Sequence, residues 1–221
     1  MPRIARVTLP GYPHHVTQRG NNREDVFFDD KDRGFYKSTL KRYCESCKVD
    51  ILSYCLMSNH VHLLAVPLEE SALACCVGRT NLLYTQYVNR KYHRSGRLWQ
   101  NRFYSAIVDD DVYLWAVMRY IELNPVKAGI VKDPVAYPWS SCRATVEGIG
   151  DELITSSLRF DANDRAAYGD FVMQYDSVMD ENIRRATSTG RPLGSVDFVE
   201  GLEKLLSRKL LGAKVGRPKK K

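Results

Sequence analysis

The stretch VDILSYCLMSNHVHLLAVP, residues 49–67, decides which fold the surrounding chain can adopt. Two apolar runs rich in strand-forming residues flank Ser58-Asn59, a pair that suits a tight turn, and the second run stops at a proline. These features predict a β-hairpin. Two of the five histidines in the chain, His60 and His62, lie one residue apart at the start of its second strand.

Strands and helices alternate on both sides of this hairpin. PHHVTQRG predicts an earlier strand and RFYSAIVDD a later one, while apolar residues at helical spacing cover 29–47 and 71–93. Another helix is expected at 112–123, and Asn124-Pro125 should end it because the residue before a proline disfavours the helical region. The order βαββαβ followed by a helix predicts an α+β fold, with a ferredoxin-like core and an antiparallel sheet.

Composition and charge restrict the class of protein. The 221 residues are 44% hydrophobic and 27% charged, which is ordinary for a globular protein. Apolar runs stay shorter than the roughly 18 residues of a membrane span, and the chain starts without an apolar leader, so we expect no membrane partner and a cytoplasmic location. The six cysteines are expected to be reduced thiols that pack as small hydrophobic side chains. A net charge of +7 favours an anionic polymer as partner.

The two hairpin histidines are the first candidate site. Residues i and i+2 of a strand point to the same face, so His60 and His62 should project side by side while Val61 faces the core. Such a pair is suited to clamping a metal ion or to proton transfer. The alternative is two polar residues on an exposed strand face.

The segment MRYIELNPVKAG supplies two further candidates. Tyr120 and Asn124 are four residues apart on the expected helix and therefore share a face. Asn124 can offer a carbonyl oxygen to a cation, and Tyr120 a phenolic nucleophile beside it. The alternatives are a core tyrosine and an asparagine that tolerates the end of a helix.

These motifs, in this order, resemble those of the HUH single-tyrosine transposases, the IS200-like transposase family. The resemblance covers about residues 9–142 and includes PHHVTQRGNNRE, LMSNHVHLL, GRLWQNRFYSAIVDDD, RYIELNPVKAGIV and YPWSSC. The GRPLG element and the helical extension after the core look closest to the REP-associated tyrosine transposases, bacterial enzymes linked to repeated extragenic palindromes.

The resemblance implies a metal-dependent enzyme that cleaves and rejoins single-stranded DNA at REP-type hairpins. His60, His62 and Asn124 would hold one Mg²⁺ or Mn²⁺ ion, ions that accept mixed nitrogen and oxygen ligands. Tyr120 would attack phosphorus and form a 5′-phosphotyrosine intermediate. The enzyme would act as a monomer or a homodimer in the bacterial cytoplasm, associated with the nucleoid.

The resemblance also divides the chain. It implies a catalytic domain over residues 1–145, with the catalytic helix after the last strand, a small helical C-terminal extension over 146–212 and a basic tail over 213–221. Within the extension, helical segments are expected at 163–175 and 196–211. Packing over the active site and reading the hairpin are both open as roles for the extension.

Basic and polar residues outside this centre are candidate DNA contacts, with a solvated surface as the alternative for each. The candidates are Arg3, Arg6, Arg19, Asn22, Arg23, Arg97, Arg102, Arg217 and Lys219. The last two belong to VGRPKKK, which resembles an AT-hook, and the tail AKVGRPKKK carries five basic and no acidic side chains. His14 and His15 adjoin on a strand and point to opposite faces, so we interpret them as strand or DNA-contact residues.

Two other functions fit the same residues. A domesticated derivative would recognise DNA hairpins without cleaving them. A metal-dependent phosphodiesterase would use water as the nucleophile and leave Tyr120 a structural role. Intact His60, His62, Tyr120 and Asn124 favour the strand-cleaving transposase over both.

Overall fold

The computed structural model describes residues 6–109, 112–155 and 160–210. Its four strands are β1 (His14–Arg19), β2 (Val49–Met57), β3 (His60–Pro67) and β4 (Tyr104–Ile107). The helices are α1 (Asp30–Cys47), α2 (Ala72–Lys91), α3 (Val112–Glu122), α4 (Asn124–Lys127), α5 (Cys142–Glu147), α6 (Ala162–Val172), α7 (Ser177–Thr189) and α8 (Val196–Leu205).

The strands form one antiparallel sheet in the order β2-β3-β1-β4. The predicted hairpin is present, with Met57 opposite His60 across a turn at residues 58–59. β1 inserts beside β3 so that Thr17 lies opposite His62, and β4 closes the other edge. The α+β prediction and its ferredoxin-like order of elements are therefore confirmed.

The sheet separates two apolar clusters. Alternate residues of β3 explain the division, because Val61 and Leu63 face α1 and α2 whereas Leu64 faces α3 and the later helices. α1 begins at a capping box in which Asp29 and Asp32 each accept a hydrogen bond from the other's backbone N–H. His60 and His62 lie on the same face as Leu64, beneath α3 and α7, and we call this the second face of the sheet.

The third helix, α3, ends at Glu122, close to the end predicted from Asn124-Pro125, but Asn124 itself is helical. A one-turn helix, α4, follows directly, and the Lys127 N–H donates to the Leu123 carbonyl. Pro125 lies in the first turn of α4, where the N–H that proline lacks has no helical partner to lose. The chain therefore stays helical past Asn124 and brings Lys127 close to Tyr120.

The sequence pattern did not predict helix α7. Asp176 caps its start by accepting a hydrogen bond from the Met179 N–H, and Gly190 ends it in a left-handed conformation at φ 73°. Its buried face includes Asp180, Ile183 and Thr187. α7 packs on β4 and β1, so this part of the extension covers the sheet, while the expected division at residue 145 stays a prediction.

Two further expectations concern cysteines and membranes. Cys47 and Cys75 are paired as a disulfide with Cα atoms 6.1 Å apart, so the expectation that all six thiols are reduced is wrong for these two. The pair joins α1 to the segment at the start of α2. Among the described residues, the helices are all too short or too polar to cross a membrane.

Candidate active site

A cavity of about 440 Å³ opens on the second face of the sheet, between the strands and α7. Its size is within the usual range for ligand sites. The lining residues are His15, Thr17, Gln18, Arg19, His60, His62, Gln100, Tyr104, Tyr120, Glu181, Arg184, Arg185, Thr187 and Ser188. The cavity therefore unites β1, β3, β4, α3 and α7 around two of the predicted ligands and the predicted nucleophile.

His60 and His62 are neighbours on one face of β3, as the strand period predicts. Their ring centroids are 4.9 Å apart, with the planes at 82°, and Val61 is buried on the opposite face. His60 Nδ1 lies 2.5 Å from Asn59 Oδ1, and this contact holds the His60 ring at the start of β3. Since an amide oxygen only accepts, His60 Nδ1 carries the proton and Nε2 the lone pair.

His15 lies directly behind His62. Its Nε2 is 3.0 Å from His62 Nδ1 and its Nδ1 is 2.7 Å from the Thr187 hydroxyl of α7, with His15 itself 1% exposed. His14 and His15 are strand residues, as interpreted, but the strand face of His15 is the site face. His14 points the other way, as expected, and is fully buried with Nδ1 2.7 Å from the Tyr12 carbonyl.

Burial keeps the site histidines neutral. Desolvation lowers the pKa of His60 to about 4 and of His15 to about 3, and nearby Arg19 adds to the effect on His60. The pKa of His62 is lowered well below its usual value, first by burial and then by its histidine neighbours. Neutral imidazoles have a lone pair to offer, so at neutral pH the pair is prepared for a cation.

Tyr120 reaches this cluster from α3. Its ring centroid is 5.5 Å from that of His15 and 5.6 Å from that of His62, both in edge-on geometry, and the residue is 8% exposed. Burial raises the pKa of the Tyr120 phenol, whereas the positive charges of Arg184 and Arg19 lower it. The tyrosine thus stands in a pocket where two guanidinium groups favour its anionic form.

Asn124 lies one helical turn beyond Tyr120, as predicted. Its Nδ2 donates to the Tyr120 carbonyl at 2.7 Å and to the Ile121 carbonyl at 3.2 Å, so the side-chain amide is held against α3. These bonds use the donor end of the amide and leave Oδ1 as the end suited to a ligand. Asn124 is not among the described residues that line the cavity, so the structure brings together two of the three predicted ligands.

An ion pair joins helix α7 to α4, the short helix that follows the catalytic helix α3. Lys127 Nζ is 2.5 Å from Asp180 Oδ2, and Asp180 is 3% exposed. The same ammonium lies 4.9 Å from the centre of the Tyr120 ring, within cation–π distance. α7 therefore contacts the nucleophile's surroundings through Lys127 as well as through Arg184.

Comparison with known proteins identifies the family of this chain. The sequence pattern of the family described as "Transposase IS200 like" matches residues 10–124, which is more than half of the chain. The chain belongs to that family. It is a transposase, an enzyme class that cleaves DNA, and the prediction of family and enzyme class is confirmed.

Two proteins similar to this chain are named as REP-associated tyrosine transposases. A Haemophilus influenzae protein, assigned by its name to the REP-associated tyrosine transposases, is 28% identical over 122 residues, which are 51% of this chain and 69% of the relative. A solved structure of a REP-associated tyrosine transposase bound to a REP hairpin matches with a TM-score of 0.58 at 18% identity, over 73% of this chain and 96% of that one. At this identity the structural match establishes the fold alone.

The predicted DNA contacts of the transposase fall into three groups. Arg19, Asn22, Arg23, Arg97 and Arg102 are exposed on two neighbouring segments, which pair through Gly20 and Trp99 beside the cavity. Arg6 instead packs its guanidinium over the Phe103 ring at 3.5 Å and donates to the Phe103 carbonyl at 2.7 Å. The remaining candidates, Arg3, Arg217 and Lys219, lie outside the described residues, as does the AT-hook-like tail.

The metal ligands of the transposase stay a prediction. Among the described residues, no group of three His, Cys, Asp or Glu side chains could hold a metal ion. A site here would need a ligand of another type, and an asparagine carbonyl oxygen is one. The family is generally metal-dependent.

Sequence reasoning missed the residues of α7 and the role of His15. Arg184 and Thr187 enter the cavity from a helix that the pattern did not predict, although Asp176 and Gly190 bracket it with start and stop signals. For His15, the available signal was the alternation of side chains along the strand. Thr17 lies opposite His62, so their side chains share a face, and His15, two residues before Thr17, lies on that face as well.

Proposed function

We propose that this transposase cleaves and rejoins single-stranded DNA at REP-type hairpins through a 5′-phosphotyrosine on Tyr120, with one divalent cation held by His60, His62 and Asn124. The observation that carries the proposal is the presence of the Tyr120 phenol and two neutral imidazoles in one cavity, with the rings of Tyr120 and His62 5.6 Å apart. Neither a core tyrosine nor an exposed histidine pair requires that arrangement.

The residues present fit a cation. His60 and His62 are adjacent, neutral and hydrogen-bonded at Nδ1, which leaves the Nε2 lone pairs for ligation, and Asn124 has its oxygen available. A bound Mg²⁺ or Mn²⁺ supplies Lewis-acid polarisation of a phosphoryl oxygen, and the imidazole nitrogens suit Mn²⁺ better.

Tyr120 would act as the nucleophile. Its oxygen forms a bond to phosphorus, the bond from phosphorus to the 3′ oxygen breaks, and the phenolic proton is lost while the leaving 3′ oxygen gains one. Burial raises the pKa of the Tyr120 phenol overall, and the positive charges of Arg184 and Arg19 offset part of that rise and so assist its deprotonation. Because the tyrosine ester retains the phosphodiester's energy, a 3′-hydroxyl can reverse the reaction and rejoin strands.

The DNA would approach along the exposed basic segments beside the cavity. Arg19, Arg23, Arg97 and Arg102 can neutralise phosphates there, and Arg19 reaches from this surface into the cavity itself. The hairpin-bound structure of the similar protein supports a hairpin substrate for this chain. Since such palindromes are chromosomal, we place the activity in the bacterial cytoplasm at the nucleoid, with the protein as a monomer or homodimer.

The test is a denaturing gel of a REP hairpin oligonucleotide, labelled at either end, after incubation with Mn²⁺ and protein. We expect a slow protein-linked band that carries the 3′ fragment and is lost in Tyr120→Phe and His62→Ala. The matched control is Tyr113→Phe, the same change on the same helix at a tyrosine outside the cavity, which should keep the band.

Other outcomes would decide for the alternatives. Binding of several hairpins without cleavage would favour a domesticated hairpin-binding protein. Cleavage that persists in Tyr120→Phe would mean that water is the nucleophile, and the phosphotyrosine mechanism would be wrong.

A further inference from the structure

His15 lies behind His60 and His62, the two histidines proposed as metal ligands, and is not itself a proposed ligand. It is buried to 1% exposure and connects two parts of the protein, because one ring nitrogen contacts His62 Nδ1 at 3.0 Å and the other contacts the Thr187 hydroxyl at 2.7 Å. The two imidazole planes differ by only 10° and the ring centroids are 5.3 Å apart, which is compatible with a hydrogen bond between the ring nitrogens. The three side chains therefore form one continuous chain of hydrogen bonds.

The Thr187 end of this hydrogen-bond chain determines which atom donates and which accepts in each hydrogen bond. The Thr187 hydroxyl donates to the Ile183 carbonyl at 2.9 Å, and a carbonyl can only accept. Having used its single proton, the hydroxyl accepts from His15 Nδ1. A buried neutral imidazole has one N–H, so His15 Nε2 must accept, and the proton between the two rings belongs to His62 Nδ1.

We propose that His15 and Thr187 are positioning residues that fix His62 in the tautomer protonated at Nδ1, so that Nε2 keeps the lone pair that a divalent cation needs. If the chain ran in the opposite direction, the proton would lie on His62 Nε2 and would block ligation. The metal role of Nε2 rests on the proposed function, whereas the tautomer does not. Helix α7 of the C-terminal extension then supports the proposed metal site without contributing a ligand.

Thr189 provides a matched control on the same helix. It is 6% exposed and its hydroxyl donates to the Arg185 carbonyl at 2.7 Å, so it makes the same kind of back-bond as Thr187 without touching a histidine. Thr187→Val and Thr189→Val remove the same atom from equally buried positions. Thr187→Ser keeps the hydroxyl and should restore the chain of hydrogen bonds.

The experiment is nitrogen-15 NMR of the histidine rings in the metal-free full-length protein, followed by calorimetric titration with Mn²⁺. In the wild type we expect His62 to be protonated at Nδ1 and His15 at Nδ1. Thr187→Val should mix the His62 tautomers and weaken Mn²⁺ binding by about tenfold or more, the range for lost outer-shell partners of ligating histidines. Thr187→Ser and Thr189→Val should match the wild type in both measurements.

Two results would overturn the proposal. One is a wild-type His62 protonated at Nε2, and the other is Thr187→Val with the tautomer and Mn²⁺ affinity of Thr189→Val. A wild type that shows the expected tautomers but binds no Mn²⁺ would support the hydrogen-bond chain and contradict the proposed metal function, so the two failures are distinguishable.

Discussion

Replacing Asp180 with asparagine should weaken the attachment of α7 to α4, the short helix after the catalytic helix. Asp180 is 3% exposed, its Oδ2 lies 2.5 Å from Lys127 Nζ, and its Oδ1 has no hydrogen-bond partner among the described residues. Removing one charge from a buried pair costs about 3–5 kcal/mol. The Lys127 side chain is 24% exposed, and the asparagine keeps an accepting oxygen, so we expect about 2 kcal/mol of lost stability.

The neighbouring residue provides the control. Glu181 pairs with Arg184 on the same helix, but these side chains are 65% and 62% exposed. Exposed pairs contribute roughly 0.2–1 kcal/mol. Glu181→Gln makes the same chemical change as Asp180→Asn and should cost correspondingly less.

The assay is urea unfolding of the two variants and the wild type, with thermal unfolding as a second reading. A loss of about 2 kcal/mol should lower the melting temperature by roughly 4–8 °C in a protein of this size. Burial lowers the pKa of Lys127 from 10.5, and loss of the Asp180 carboxylate should lower this pKa further. Lys127 of the variant should therefore lose its proton first as the pH is raised toward 10.5. The difference in unfolding free energy between Asp180→Asn and the wild type should then become smaller. Equal unfolding free energies for the two variants at pH 7 would refute the reasoning.

Three further predictions concern pH, the nucleophile and the third ligand. Burial lowers the pKa of His14 to about 4 and of His15 to about 3, so below pH 6.5 both histidines take up a proton when the protein unfolds. The free energy of unfolding should therefore fall by at most roughly 2.7 kcal/mol per pH unit as the pH is lowered toward 4. Equal stability at pH 7 and pH 5 in urea unfolding would contradict this. Arg184→Gln should raise the pKa of Tyr120 and move the alkaline rise of the cleavage rate to higher pH, and an unchanged pH–rate profile would rule the role out. Asn124→Ala should weaken Mn²⁺ binding in calorimetry while Asn124→Asp retains it; equal affinities would remove Asn124 from the ligand set.

Local periodicity predicted the hairpin and the orientation of its histidines. Because strand side chains alternate, His60 and His62 had to share a face opposite Val61, whatever the rest of the fold. The order of elements then predicted a four-stranded antiparallel sheet, and the structure confirms it with β1 beside β3.

The missed parts of the site depend on contacts that periodicity does not register. The buried face of α7 includes Asp180 and Thr187, so a search for apolar residues at helical spacing finds little there. The same limit applies to His15, since its partner Thr187 is 172 residues away. The packing of the Arg6 guanidinium on the Phe103 ring is also a contact that charge alone does not indicate, and its role as a DNA contact stays a prediction.

Mass spectrometry of the DNA-linked peptide would identify the nucleophile directly. After incubation of a REP hairpin with the wild type and Mn²⁺, the sample is digested with nuclease and trypsin. We expect the nucleotide mass on the peptide YIELNPVK, residues 120–127, which contains Tyr120 as its only hydroxyl-bearing side chain. A nucleotide on the preceding peptide, which contains Tyr104 and Tyr113, or cleavage without any linked peptide, would contradict the account.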